Sequence, residues 1–221
     1  MKRVISLVVC LVLGCFALTG CSNNGEPFEE KTYTPDTQVS EVNLNVSDRE
    51  IEVSLSDDEQ VHIKYFESGK EYYDISVSDK KVLTMASANN KEWTDYIGVK
   101  ASAEHRKICL QVPDTLLDGL TLSTTNENIS LSALTVKGGI NISSNGGNIA
   151  FDKLDIGDSL TISVKNGDIS GTVVGSYEDF SIQSEVKKGK NNLPGNKENG
   201  EKALYVSSNN GGDVNIAFIN E

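Results

Sequence analysis

Three windows starting at Leu120, Ile140 and Leu160 repeat one pattern at a spacing of 20 residues. Leu120, Ile140 and Leu160 align, as do Leu122, Ile142 and Ile162, then Ile129, Ile149 and Ile169, then Leu134, Leu154 and Val174. A turn of small polar residues separates the second and third columns: Asn126-Glu127-Asn128, Gly146-Gly147-Asn148 and Asn166-Gly167-Asp168. A fourth copy follows an insertion, with Leu204, Val206, Val214 and Ile216 around the longer turn Asn209 to Asp213. Self-similarity of this period marks a stack of repeats in which each unit covers the apolar face of the next.

Each unit holds three short alternating pieces, such as Leu120 to Thr124, Ile129 to Leu131 and Leu134 to Val136. A chain coiling once per repeat stacks each piece on its counterpart about 4.8 Å away, in parallel and in register, and the aliphatic columns become interior ladders. Asn and Gly recur at the corners, where tight bends need positive φ. The expected fold is therefore all-β, a parallel β-solenoid or β-helix with coils of about 20 residues over 114–221, carrying an insertion at about 181–202, rather than a sandwich. The preceding part, 39–113, reads as β-rich but irregular: Ile51 to Leu55, Val61 to Tyr65, Tyr73 to Val77 and Val82 to Met85 alternate with period two. Ala86 to Ile97 reads as a long loop, and no segment shows a sustained helical period.

Residues 1–21 have the layout of an export signal: Lys2 and Arg3, an apolar run from Val4 to Leu18, then Leu18-Thr19-Gly20-Cys21. The run is short for a membrane span. The tetrapeptide resembles the lipobox of bacterial lipoproteins, which implies that Cys21 is acylated and heads the mature chain. Two or three acyl chains, at about 0.8 kcal/mol per buried methylene, make a stable anchor. Residues 22–38, rich in Asn, Glu, Pro and Thr, read as a flexible tether.

Cys10 and Cys15 leave with such a signal and Cys21 takes lipid, so Cys109 is the one remaining thiol of the four cysteines. One cysteine makes no internal disulfide and no multi-cysteine metal site. On an alternating strand it reads as a small packed residue or a quiet thiol. Without Lys2 and Arg3 the chain keeps 18 Lys and Arg against 32 Asp and Glu, a formal charge of −14. Nucleic-acid backbones and anionic head groups repel such a surface, which excludes nucleic acid as a partner.

The repeated Leu-x-Ile/Leu-Ser…Asn-Gly-x-Ile unit resembles the bacterial putative-adhesin family of β-strand-repeat domains of unknown function. So do Asp179-Phe180-Ser181-Ile182…Gly189…Asn192-Leu193-Pro194 and Leu204-Tyr205-Val206-Ser207…Gly212-Asp213-Val214-Asn215-Ile216. The resemblance spans roughly Val39 to Phe218 and is strongest from Leu116 onward. It implies an extracytoplasmic solenoid-like domain without established catalytic residues. It also favours the outer face of the plasma membrane in a one-membrane cell. Because Ser22 is not the retention aspartate, outer-membrane sorting would follow in a two-membrane cell.

Several local patterns invite sharper readings. Gly157-Asp158-Ser159-Leu160 spells an esterase nucleophile block, but Ser159 aligns with Gly139 at a repeat boundary and both histidines, His62 and His105, lie upstream. A nucleophile needs a base within hydrogen-bond reach, so no catalytic residue is expected. The corner column Asn128, Asn148, Asp168, Asp213 echoes calcium-binding β-rolls, yet side-chain bonding to backbone explains it better. Asp168 and Asp213 remain weak metal candidates, and no cofactor is expected. Lys187, Lys188 and Lys190, with Lys197 and Lys202, form a basic island, and Trp93 with Tyr96 a second candidate binding surface.

The expected role is a non-enzymatic, lipid-anchored surface protein, an adhesin or envelope-binding module whose partner is a cell-envelope component or a membrane protein. The alternatives are an accessory of an envelope-stress signalling or transport system and a weakly calcium-binding structural repeat protein.

Overall fold

The computed structural model describes residues 27–97, 100–114 and 117–220; Cys21 and the whole signal segment lie outside them. The described chain is all-β, with two nine-stranded sheets and three 3-10 turns of three or four residues. The 20-residue period accounts for the middle of the stack. In the second sheet β8 (Gly119–Thr124), β11 (Gly139–Ser144), β13 (Ser159–Asn166) and β17 (Lys202–Gly211) run parallel, with Leu120, Ile140, Leu160 and Leu204 in register. In the first sheet β9 (Ile129–Leu131), β12 (Ile149–Ile156), β14 (Ile169–Val174) and β18 (Val214–Ile219) do the same with Ile129, Ile149, Ile169 and Val214. A short β10 (Leu134–Val136) joins the first sheet on β12. The chain thus passes from the second sheet to the first and back in each repeat, and both inner faces supply one continuous aliphatic core.

One column differs from the sequence alignment. Leu154 pairs with Val173, not Val174, because the register between β12 and β14 shifts between Phe151 and Lys153. The extra residue is a bulge, and it leaves Val173 fully buried while Val174 moves to the core margin.

The irregular part is not separate from the stack. β2 (Glu41–Asn45) and β3 (Glu50–Leu55) lie directly against β8 and β9, with Val42 opposite Leu120 and Ile51 opposite Ile129. Next outward come β6 (Val82–Asn89) against β2 and β7 (Lys107–Val112) against β3, both parallel. β6 includes Ala86 to Asn89, so the expected loop shortens to a 3-10 turn at Trp93–Tyr96 and the residues around it. The antiparallel β4 (His62–Glu67) and β5 (Glu71–Val77) close this end on β7 and β6.

The tether is also shorter than expected. Glu29–Tyr33 is strand β1, antiparallel to β4, with Tyr33 packed on the core and Phe28 stacked on His105. Backbone pairing and these two rings order a segment whose composition reads as disordered. At the opposite end the insertion is a tier of its own: β15 (Phe180–Val186) runs parallel to β17, and a two-residue β16 (Asn196–Lys197) pairs with β15. Ile182 continues the interior column of Leu204, Phe180 lies opposite Lys202, and Phe180 and Ile182 are both fully buried.

Asn192 finishes the first sheet. Its side-chain amide accepts from the Ile216 N–H (3.0 Å) and donates to the Ile216 carbonyl (2.8 Å), occupying the ladder positions an added strand would take. Blocking an edge in this way protects it from pairing with another chain.

Candidate functional site

The two outer faces differ in chemistry. On the second sheet, the outward positions from β8 to β17 form the columns Thr121, Asn141, Thr161, Tyr205 and Ser123, Ser143, Ser163, Ser207. Gly119, Gly139, Ser159 and Ala203 form a third, so this part of the face bears no charge although the chain carries −12. Glu41, Lys165 and Glu185 stand at its margins. Hydroxyls bond across strands, Ser143 to Ser123 (3.0 Å) and Ser207 to Ser163 (2.9 Å). Tyr205 rises from the face, 46% exposed, with Thr161 and Gln183 directly beside it on the neighbouring strands and a hollow of about 170 Å³ between them.

The first sheet's outer face holds an open trough of about 720 Å³ between Lys64, Glu52 and Asp152. Ser130, Ala150, Ser170 and Gly171 give it a low floor. Cys109 lies in it, half-buried, and burial followed by the Glu52 carboxylate pushes its thiol up, which makes it a poor nucleophile.

The corner column is a hydrogen-bonded ladder. Asn128 Oδ1 accepts from the Asn148 N–H, Asn148 Oδ1 from Asp168 (both 2.9 Å), Asp168 Oδ1 from Asp213, and Asp213 Oδ1 from Lys190 (both 2.8 Å). Both weak metal candidates, Asp168 and Asp213, use an oxygen this way. No group of three or more His, Cys, Asp and Glu among the described residues could hold a metal ion. Gly212 is required here twice over: its φ is +134°, and a Cβ would overlap the Gly167 carbonyl. The non-glycine turn of the first repeat answers a different need, since Asn126 donates to Asp48 (2.6 Å) and Glu127 pairs with Arg106.

The candidate surfaces read from sequence lie at opposite ends of the second sheet. The backbone of the basic island is zipped to the fourth turn: Lys187 donates to Ser208, and Lys188 and Lys190 accept from Gly212 and Val214. Their three side chains are exposed. Lys197 and Lys202 serve the chain itself, one bonded to the Phe180 carbonyl (2.9 Å) and the other 3.5 Å from Asp155. Trp93 and Tyr96 sit beyond β6 at the β5 end. Ser159 opens β13 in the second sheet, whereas His62 is on β4 of the first and His105 is sandwiched between Phe28 and Phe66.

Two clusters escape sequence reading. Thr34 Oγ1 is 2.8 Å from His62 Nδ1, and Asp58 Oδ1 is 3.0 Å from its Nε2; the Asp58 carboxyl is held down by the Gln60 N–H and this imidazole. Arg49, 5% exposed, binds Glu71 (2.6 Å) and the Tyr73 hydroxyl (2.6 Å), while Lys91 reaches Glu71 (2.7 Å). Burial acts to raise the Glu71 pKa, but bonds from Arg49 and Lys91 outweigh it and hold the carboxyl below its ordinary range. Burial pushes the Tyr73 phenol up. Neither carries a motif: Asp58 lies in the turn before the strand that bears His62, and Arg49 and Glu71 are distant in sequence.

Such a two-sheet, largely parallel stack defines a class of all-β repeat proteins. Residues 39–177 match the Toastrack DUF4097 family, and the chain belongs to it. No curated protein matches. Among solved structures, the chain is similar to a putative cell adhesion protein from Clostridium sporogenes, 13% identical, with a TM-score of 0.59 over 88% of this chain and 100% of that one. Putative adhesins from Bacteroides fragilis (13% identical, TM-score 0.34, 87% and 98% covered) and Parabacteroides merdae (16%, 0.37, 88% and 78%) are more distant in shape. The first of these likenesses supports the fold.

Proposed function

We propose that the chain is an extracytoplasmic β-solenoid, carried on an acylated Cys21, that acts without catalysis by holding a neutral, hydroxyl-rich component of the cell envelope against the outer face of its second sheet. The uncharged columns around Tyr205 in an otherwise acidic protein carry this reading. Aromatic surface beside amides and hydroxyls suits a sugar ring, which offers a C–H face and hydrogen-bonding edges. Parallel strands about 4.8 Å apart repeat those groups at even intervals along the stack. The Clostridium sporogenes chain of similar fold is named a putative cell adhesion protein, which agrees with this reading.

The test is retention of the full chain, in detergent, on purified envelope fractions. Thr161→Lys and Tyr205→Ser lose retention, while Lys187→Ser/Lys188→Ser/Lys190→Ser keeps it. Loss confined to the triple lysine variant contradicts the face and transfers binding to the basic island; retention by none of the fractions contradicts envelope-polymer binding altogether.

A further inference from the structure

Trp93, Tyr96 and Ile97 are 75%, 66% and 71% exposed, the most exposed large hydrophobic side chains among the described residues, and they fall within five positions. Water is a poor solvent for three such neighbours, and a patch of this kind marks a contact. The turn that bears them is held firmly. Asp95 accepts from the Glu92 N–H (2.9 Å) and pairs with Lys70 Nζ (2.5 Å), and Lys91 Nζ lies 5.4 Å above the Tyr96 ring.

Those bonds locate the turn relative to the point where the chain enters the fold. Lys70 belongs to the turn after β4, three residues beyond Glu67, and Glu67 is opposite Glu29, the first residue of β1. Phe28 packs on His105, which contacts Phe66 of the same strand. Chain entry and aromatic turn therefore share one corner. Eight residue steps separate Cys21 from Glu29, at most about 28 Å of extended chain.

We infer that Trp93, Tyr96 and Ile97 form an interfacial foot that inserts among lipid head groups next to the anchor and sets the solenoid's orientation on the membrane. The inference rests on the reading of Cys21 as acylated, since that short leash brings this corner to the bilayer. Trp and Tyr carry an apolar body and a polar tip, which suits the boundary between head groups and acyl chains. Insertion is driven by apolar burial, so it works on zwitterionic lipid despite the acidic charge of the chain.

Trp93 is the chain's only tryptophan, so its emission reports the foot alone. The full chain, with the mass of its Cys21 adduct measured, is reconstituted into phosphatidylcholine vesicles containing brominated acyl chains. The expected result is blue-shifted Trp93 emission that brominated lipid quenches and aqueous iodide does not. Tyr96→Ser/Ile97→Ser reverses both effects while the chain stays on the vesicles and keeps its β-sheet circular dichroism. Emission of water-exposed character, quenched by iodide, on a chain whose Cys21 is acylated overturns the foot and leaves the anchor intact. An unacylated chain that fails to float with vesicles overturns the anchor and the foot together. A shift produced by soluble oligosaccharide and not by lipid overturns the foot in favour of a sugar contact.

Discussion

Gly171 lies directly under the ring of Phe151 on the neighbouring strand of the first sheet, so close that any Cβ at Gly171 would overlap the ring. Every other tier fills this inward position with an aliphatic chain, as Val53, Leu131 and Ile216 do. One large residue and one absent side chain share the volume of two medium ones, which keeps interior density even.

That pairing predicts reciprocal mutational behaviour. Gly171→Ala overpacks the site and lowers stability by about 1–3 kcal/mol. Phe151→Leu alone opens a void, but in the double variant it relieves the clash. Chemical denaturation of the four chains of this cycle should give a coupling of about 1 kcal/mol or more in favour of the pair; additive losses contradict it.

Ser208 sits in an inward column between Val164 and Val186, fully buried, and its hydroxyl has no hydrogen-bond partner among the described residues. The equivalent Thr124 and Ser144 donate to backbone carbonyls of Arg49 and Glu127. Ser208→Ala is therefore expected to stabilise the chain by about 1 kcal/mol, since it removes an unmatched polar group from the core. A lower thermal midpoint contradicts this.

Asn148 links two tiers, accepting from Asp168 and donating its own N–H to Asn128. Asn148→Ala should cost about 0.5–1.5 kcal/mol, the net worth of one such bond, whereas Asn148→Asp, which keeps the acceptor, costs less. Calcium should leave the midpoint of the unaltered chain unmoved if the ladder is purely a backbone brace; a calcium-dependent rise that Asp168→Asn/Asp213→Asn abolishes would instead identify those two as ligands.

The Arg49–Glu71 pair makes stability depend on pH. Glu71 has a lower pKa folded than unfolded, so its contribution is whole above the ordinary glutamate value of about 4.3 and is lost as pH falls through the folded value. Glu71→Gln leaves Arg49 buried without its carboxylate and should cost about 3 kcal/mol at neutral pH. The deficit should shrink on acidification toward pH 3. A deficit that stays constant with pH contradicts the ion pair.

Much of the stack is legible in the sequence because parallel, in-register tiers turn a fixed spacing into aligned columns. Val42-x-Leu44…Ile51-x-Val53 has the same nine-residue step from strand to strand as Leu120 to Ile129. It escapes notice because its turn, Ser47-Asp48-Arg49, lacks Asn-Gly chemistry and uses Asp48 at φ +53° instead. Leu83-x-Met85 and Ile108-x-Leu110 form another tier whose two halves are separated by the excursion through Trp93. β1 is hidden by Glu29, Glu30 and Lys31, charges that an edge strand tolerates and that composition reads as disorder. Order within the stack is invisible as well, since β15 precedes β17 in sequence yet lies outside it.

The candidate site was only partly readable. Lys187, Lys188, Lys190, Trp93 and Tyr96 stand out by residue type, but only the folded order shows that they occupy opposite ends. The neutral face around Tyr205 offers no local motif; it exists because outward Thr, Asn and Ser from four tiers come into register.

Hydrogen exchange on the full chain, with and without the envelope fraction that retains it, tests the binding face most directly. Slower exchange along β8, β11, β13 and β17, with Lys187 to Lys190 unchanged, is the predicted result. Slowing confined to the basic island or to the first-sheet trough would contradict it.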